Sequence, residues 1–379
     1  MSASCFDAFR QEVGAVVLAA GWSSRMGAFK PLLPLGESTV VGRVVATLRQ
    51  AGITRIHVVT GHQSEAMAPV LARLGVVGVA NPGFTDGMLS SVRRGLSSFA
   101  DAPRGCLLLP VDLPLVRPQT ILRTLRAAAA TGAAVVHPCM RGRRGHPPFI
   151  DRRLFAPILA TDAPGGLRAI LDRYPAEEVA VADRFCLHDL DEPADYRWAV
   201  RALAQYDIPD AEECAAMLAA TGARADLCAH SQAVTDLALR IARQLRAAGV
   251  PLDLDLVRAG ALLHDIAKGQ PHHAAAGAAL VAEWGFPEVA RIVASHMALS
   301  FDPPVIDARA VVYLADKLVS GTARVSLAER FGPALARWHD NPDALAGARA
   351  RHAAARAVLQ AITARIGAAD VLRGAEAPA

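Results

Sequence analysis

The chain has 379 residues, 53% of them hydrophobic, and a formal charge of +4, so two or three domains are expected and no broad basic footprint for nucleic acid is present beyond a short Arg141 to Arg144 cluster. No apolar run reaches the roughly 18 to 20 residues that span a bilayer, and the opening MSASCFDAFRQE lacks the basic flank and apolar stretch of a signal peptide. The six cysteines (Cys5, Cys106, Cys139, Cys186, Cys214 and Cys228) are scattered without a C-x-x-C pair, as expected for reduced thiols in a cytoplasmic protein.

In chain order, the first half alternates short apolar runs with helical stretches. GAVVLAA, RIHVVT, VVGVA, GCLLLPVD and AAVVHP read as strands, with helices in VVGRVVATLRQAG and GMLSSVRRGLSSF. Strands alternating with helices predict βαβ units and a mostly parallel sheet, with the loops after the strands along one ligand-binding edge. The texture changes at YDIPDAEEC, which places a domain boundary near residues 205 to 211 and divides the chain into 1–205 and 206–379. The second part is Ala-, Leu- and Arg-rich with helical periodicity, and reads as all-α. It ends in a long helix over residues 342 to 367, after which the last dozen residues are expected to fray. No internal repeat is visible.

Only three of the 40 basic residues are lysines: Lys30, Lys268 and Lys317. A lysine kept in an arginine-rich chain points to a need for a compact ammonium. All three fall inside motifs. The first motif, LAAGWSSRMGAFKPLLPL, follows the first strand. Small residues at Ala19, Ala20 and Gly21 let backbone N–H groups approach phosphate oxygens, and Arg25 and Lys30 can neutralise a triphosphate. The Walker spacing is absent. Asp112 ends the strand GCLLLPVD, where an Asp before Leu-Pro can cap a turn.

The L-A-A-G, R-M-G and K-P-L-L pattern resembles the nucleotidyltransferases that activate molybdenum cofactor, and more broadly the sugar-phosphate nucleotidyltransferases, over roughly residues 13 to 203. The resemblance implies a Rossmann-like nucleotidyltransferase domain. It also implies base and ribose contacts from the segment holding Ser90 and Ser91, and a Mg²⁺ ligand in Asp112. His146 in GHPPFI would lie near the acceptor. Asp191 in DLDEPADY would make a second metal contact, the alternative being an N-cap for the helix at Pro193. The implied reaction is attack of an acceptor phosphate on the α-phosphorus of a nucleoside triphosphate, with pyrophosphate leaving. Arg25 and Lys30 would stabilise the developing charge, and two carboxylates suit hard Mg²⁺. L-A-A-G resembles the cytidylyl more than the guanylyl branch, which implies CTP and a molybdopterin-type acceptor, made for molybdenum hydroxylases.

The second motif is ALLHDIAKG. His264 and Asp265 have partners in order: His230, His273, His296 and Asp316. This H…HD…H…H…D series resembles the HD-domain phosphohydrolases, with Lys268 after the pair and Gly277 four residues after His273, which H-x-x-x-G favours over His272. The resemblance implies one or two divalent metals. His230, His264, Asp265 and Asp316 would hold the first, and His273 and His296, with Asp265 bridging, the second. Imidazoles and carboxylates without thiolate suit Mn, Fe, Zn or Mg, and a two-metal site makes hydroxide near neutral pH. His264 and Asp265 are expected on successive positions of one helix, with Lys268 on the substrate phosphate. Lys317 would do the same or pair with a surface acid. The expectation is a bifunctional enzyme. The alternatives are a transferase that uses GTP or a sugar phosphate, and a chaperone that delivers finished cofactor to a molybdenum hydroxylase apo-enzyme.

Overall fold

The structure, a computed structural model, describes residues 3–161, 163–301 and 305–367; the expectation of a frayed C-terminal dozen falls outside them. The chain divides into two compact units, Met1–Tyr206 and Asp207–Ala379. Among the described residues no helix is long and apolar enough to cross a membrane.

The first unit is built on an eight-stranded sheet. Its strands are β1 (Val13–Ala19), β2 (Arg55–Thr60), β3 (Val77–Ala80), β4 (Gly105–Pro110), β5 (Val135–Met140), β6 (Arg143–Arg144), β7 (Phe149–Asp151) and β8 (Ala176–Ala180). They lie in the order β8-β5-β7-β4-β1-β2-β3, with β6 paired to β5. β1 pairs in parallel with both β2 and β4. The chain therefore winds outward through β2 and β3, then returns to the other side of β1. That reversal opens a crevice beyond the C-terminal ends of β1 and β4, where open α/β sheets take their ligands. The helix Met88–Ser97 covers β1 and β2 closely. A Cβ at Gly95 would lie 2.4 Å from Val16 Cγ1 and 3.0 Å from Val59 Cγ2, so glycine is what lets this helix seat.

Three strands escape a reading by apolar runs. β7 is three residues long and antiparallel to both β4 and β5, inside the stretch that reads as an acceptor segment. β6 is two residues long, and β8 carries exposed Glu177 and Glu178 at a sheet edge.

A buried ionic network fastens the site-bearing loops. Asp183, 1% exposed, accepts from the Arg117 backbone N–H at 2.8 Å and the Thr120 hydroxyl at 2.7 Å, and its other oxygen accepts from Phe185 N–H at 3.0 Å. The Arg117 guanidinium, also buried, stacks over Phe185 and Tyr206. Burial pushes the Asp183 carboxyl up, opposed by Arg117. Asp183 thus ties the start of the helix Pro118–Thr131 to the segment that runs on to Asp191.

The second unit is helix-rich, with helices Ala211–Ala220, Ala225–Ala247, Leu254–Leu263, His273–Glu283, Pro287–Ser295, Ala308–Lys317, Leu327–Arg337 and Pro342–Ile366. Its one departure from all-helical texture among the described residues is a small hairpin, Val319–Ser320 with Ala323–Arg324. Val234, Leu237, Ile241 and Leu245 form a stripe at spacings of three and four, buried with Val257, Ala261 and Val311. The helix Ala308–Lys317 is buried along almost its whole length, including its last two residues, Asp316 and Lys317.

Asp183→Ala removes the carboxylate that faces the buried Arg117 guanidinium and accepts from the Arg117 and Phe185 N–H groups and the Thr120 hydroxyl, so a loss of about 3 to 5 kcal/mol is expected. Urea denaturation would read it, and a change below about 1 kcal/mol would show that the network is not holding these loops.

Candidate functional site

In the first unit, β1 runs out at Ala19 and the chain turns through Gly21 and Ser23 before reaching Lys30. The Lys30 backbone N–H donates to Ser23 Oγ at 3.2 Å, which closes the loop on itself. The Lys30 side chain, 8% exposed, then points back across the crevice. Its Nζ lies 3.5 Å from Asp112 Oδ2 and 3.4 Å from Asp191 Oδ1. Arg25 Nη2 meets the other oxygen of Asp191 at 2.8 Å. Asp112 follows β4, and its carbonyl accepts from Leu190 N–H at 2.9 Å, which keeps the two acidic segments together. Asp191 is not the helix cap: Glu192 takes that place in a capping box with Asp195, leaving the Asp191 carboxylate for the crevice. Burial pushes the Asp112 carboxyl up, with Lys30 opposing and Asp189 adding to the rise.

A cavity of about 220 Å³ sits beside this cluster. It is lined by Ala19, Ala20 and Gly21, by Lys30 and Asp112, and by Ser91 among others. Ser90 is placed differently. Its hydroxyl donates to the Gly83 and Gly87 carbonyls and accepts from Asn81 Nδ2, which also donates to Ser91 at 3.0 Å. Asn81, 6% exposed, was missed by sequence reasoning. A polar residue directly after an apolar strand was its one signal. His146 lines a separate cavity of about 630 Å³ with His137, Arg144 and Arg168, and burial pushes its imidazole below the ordinary range.

In the second unit, all six residues of the H…HD…H…H…D series converge. The helix expected to carry His264 and Asp265 stops at Leu263. His264 is its C-cap, and Asp265 lies in the turn that follows. Tight i to i+3 bonds from Ile266 to Leu263 and from Lys268 to Asp265 end the helix there. The turn is what lets one carboxylate face two ways. Asp265 Oδ2 lies 3.6 Å from His264 Nε2 and 3.9 Å from His230 Nε2. Its Oδ1 lies 3.3 Å from His296 Nε2 and 3.5 Å from His273 Nε2. Asp316 Oδ1 adds to the first pair, 3.4 Å from His230 and 3.6 Å from His264.

Three of the imidazoles have a fixed tautomer. The Nδ1–H of His230, His264 and His296 donates to the carbonyls of Gly321, Ala261 and Val293 at 2.8, 2.8 and 2.7 Å. Each Nε2 is left to face the carboxylates, as metal-ligating histidines are held. His264 Nε2 is fully buried with no hydrogen-bond partner. Nε2 atoms of His273 and His296 stand 3.2 Å apart. Two sets of donors cluster tightly enough to hold an ion: His230, His264 and Asp265, and Asp265, His273 and His296. An orphaned ring nitrogen beside two carboxylates fits a divalent cation. Lys268 Nζ lies 2.6 Å from Asp265 Oδ2. Lys317 does not pair with a surface acid: it is buried, 2.6 Å from Asp316 Oδ2, and donates to the His296 carbonyl at 2.9 Å. It ties Asp316, which faces His230 and His264, to His296 of the second set.

Burial opposes ionisation of Asp265 and Asp316, yet the imidazoles with Lys268 and Lys317 outweigh it and hold both carboxyls well below the usual range. Burial alone would lower His264, but Asp316 and Asp265 hold it above its ordinary value. A raised imidazole contributes stability that is fully present below its unfolded value, about 6.5, and is lost as pH rises through the folded value. In chelator-treated protein, Asp316→Asn is therefore expected to move the His264 ring titration, followed by NMR, to lower pH. An unmoved midpoint would show that Asp316 does not set the charge on this ring.

Residues 15–179 match the family described as MobA-like NTP transferase domain, and residues 227–321 match the HD domain. The probable molybdenum cofactor guanylyltransferase of Mycobacterium avium is 30% identical over 200 residues, covering 51% of this chain and 96% of that protein. The molybdenum cofactor cytidylyltransferase of Escherichia coli is 25% identical over 185 residues, covering 48% of this chain and 93% of that protein. The bifunctional protein GlmU of Geobacter metallireducens is 32% identical over 126 residues, covering 33% of this chain and 26% of that protein. The chain spans about a quarter to a third of the length of the first curated relatives it matches.

Proposed function

The chain belongs to the MobA-like NTP transferase family and carries an HD domain in its second unit, and on that premise we propose a bifunctional enzyme. Its first unit transfers CMP from CTP to a molybdopterin-type phosphate monoester and releases pyrophosphate. Its second unit is a divalent-metal phosphohydrolase. The observation that carries the first activity is Lys30, held within 3.5 Å of both Asp112 and Asp191 where β1 and β4 end.

A phosphate oxygen of the acceptor forms the new bond to the α-phosphorus. The bond from that phosphorus to the bridging oxygen breaks, and pyrophosphate leaves. Arg25 and Lys30 face the charge that moves onto the departing phosphates. The Ala19-Ala20-Gly21 turn brings backbone N–H groups close to the triphosphate, and the Asn81–Ser91 pair orients the nucleoside end. Asp112 and Asp191 would hold Mg²⁺, which supplies a hard, oxygen-seeking centre that offsets phosphate charge. The preference for CTP rests on Ala20 in L-A-A-G. Relatives named for each nucleotide match this chain, so the choice is decided by assay.

With Mg²⁺ and CTP, pyrophosphate release is expected to depend on molybdopterin, and Lys30→Ala to lower its rate by about 10²- to 10³-fold. Release driven by GTP alone would move the chain to the guanylyl branch. Release driven by a sugar 1-phosphate would replace the acceptor. Tight cofactor binding without turnover would favour a delivery chaperone.

In the second unit, His230, His264, Asp265 and Asp316 would hold one divalent metal, and His273, His296 and Asp265 another; two such ions would supply a hydroxide at neutral pH and a clamp on a phosphoryl group. Asp265 serves both sets. Asp265→Ala is expected to strip both metals and abolish phosphatase activity while transfer persists. His273→Ala is expected to keep one metal. Metal content per chain after dialysis against Mn²⁺ measures this, and equal content in all three proteins would rule out a shared carboxylate.

A further inference from the structure

Next to the cluster in the second unit lies a pocket of about 490 Å³. Its walls include His230 and Lys268 from the cluster itself, together with Arg330. Arg330 lies outside the HD match, which ends at residue 321. Its place is nonetheless set firmly. The helix Leu327–Arg337 begins in a capping box in which Ser326 and Glu329 satisfy each other's backbone N–H, and buried Leu327 and Phe331 seat that first turn in the core. Arg330 follows Glu329 directly, so both its height and its direction on the helix are fixed.

From there the guanidinium reaches the cluster. Arg330 Nη2 is 3.9 Å from Asp316 Oδ1, the oxygen that His230 and His264 also face. Among the described residues the guanidinium makes this one loose ion pair and no hydrogen bond, with a third of the side chain exposed. A planar fork of N–H donors is therefore left facing the pocket. Lys268 flanks the same donor set from another element. It lies 2.6 Å from Asp265 Oδ2, and its side chain is 55% exposed. Lys317, by contrast, is buried against Asp316 Oδ2 and the His296 carbonyl rather than lining the pocket.

We propose that Arg330 and Lys268 form a two-point anchor for the phosphoryl group of the hydrolase substrate, seated at the His230, His264, Asp265 and Asp316 side of the cluster. The pocket beyond takes the rest of a small phosphomonoester, against Leu227, Ile266 and Ala267. The proposal rests on the metal-dependent phosphohydrolase reading of this unit. Arg330 contributes the planar fork, which engages two phosphate oxygens at once, and Lys268 the point charge.

The test uses the full-length protein loaded with Mn²⁺ and inorganic phosphate as the probe, with affinity read by calorimetry and metal content read separately. Wild type is expected to hold Mn²⁺ and bind phosphate. Arg330→Gln is expected to keep its Mn²⁺ and bind phosphate at least tenfold more weakly, with Arg330→Lys recovering part of the loss. Unchanged phosphate affinity in Arg330→Gln, or loss of Mn²⁺ from that variant, would overturn the anchor. Failure of the wild type to hold Mn²⁺ would overturn the metal reading itself, and the anchor with it.

Discussion

The second unit depends on one carboxylate that cannot be satisfied by one partner. Asp265 directs one oxygen to His230 and His264 and the other to His273 and His296. A buried acid with ring nitrogens on both sides is stable only if positive charge lies between them. Lys268, 2.6 Å from one oxygen, supplies part of it, and protons on the imidazoles or bound cations can supply the rest. The surrounding backbone favours the cations. Three Nδ1–H groups are engaged by carbonyls, so the Nε2 lone pairs are aimed at the centre rather than left to rotate. The helix Leu254–Leu263 ends just before His264, so the tight turn that follows, rather than a further helical step of about 100° per residue, sets where Asp265 faces.

The first unit meets the same constraint with a lysine. Asp112 and Asp191 come from segments far apart in sequence, and repulsion would separate them without a cation. Lys30 sits between them, with Arg25 on the outer oxygen of Asp191. Burial works against the charged form of Asp112. The crevice thus pairs two acids with two cations, and the topological reversal between β1 and β4 is what puts it at the sheet edge.

The legible parts of the sequence were those in which chemistry and periodicity coincide. The five apolar runs lie on β1 to β5, and the two motifs place Arg25, Lys30, Asp112 and Asp191 in one cluster and the six His and Asp residues in another. What escaped was set by contacts at long range. β7 is too short to carry a period and exists because β4 and β5 flank it. Asn81 carries no motif of its own, and only the fold shows its amide bridging two serines. Arg330 is one arginine among many until the Ser326–Glu329 box is seen to point it at Asp316. Lys317 reads as a phosphate contact or the partner of a surface acid, since lysines are seldom buried, and only packing along the helix Ala308–Lys317 shows it enclosed.

The rarity of lysine has a physical reading in this light. Each of the three stands against a site carboxylate: Lys30 at Asp112 and Asp191, Lys268 at Asp265, and Lys317 at Asp316. Arginine serves in both places: Arg25 meets the outer oxygen of Asp191, while Arg117 stacks on Phe185 and Tyr206 as it faces Asp183. A guanidinium is broad and planar, so it suits a flat stack but would fill the space beside two acids. An ammonium is compact and leaves room for a cation or phosphate to share the same oxygens. Arg330 fits this division because it approaches Asp316 only to 3.9 Å, from the open side, where a planar fork has room to meet a phosphoryl group.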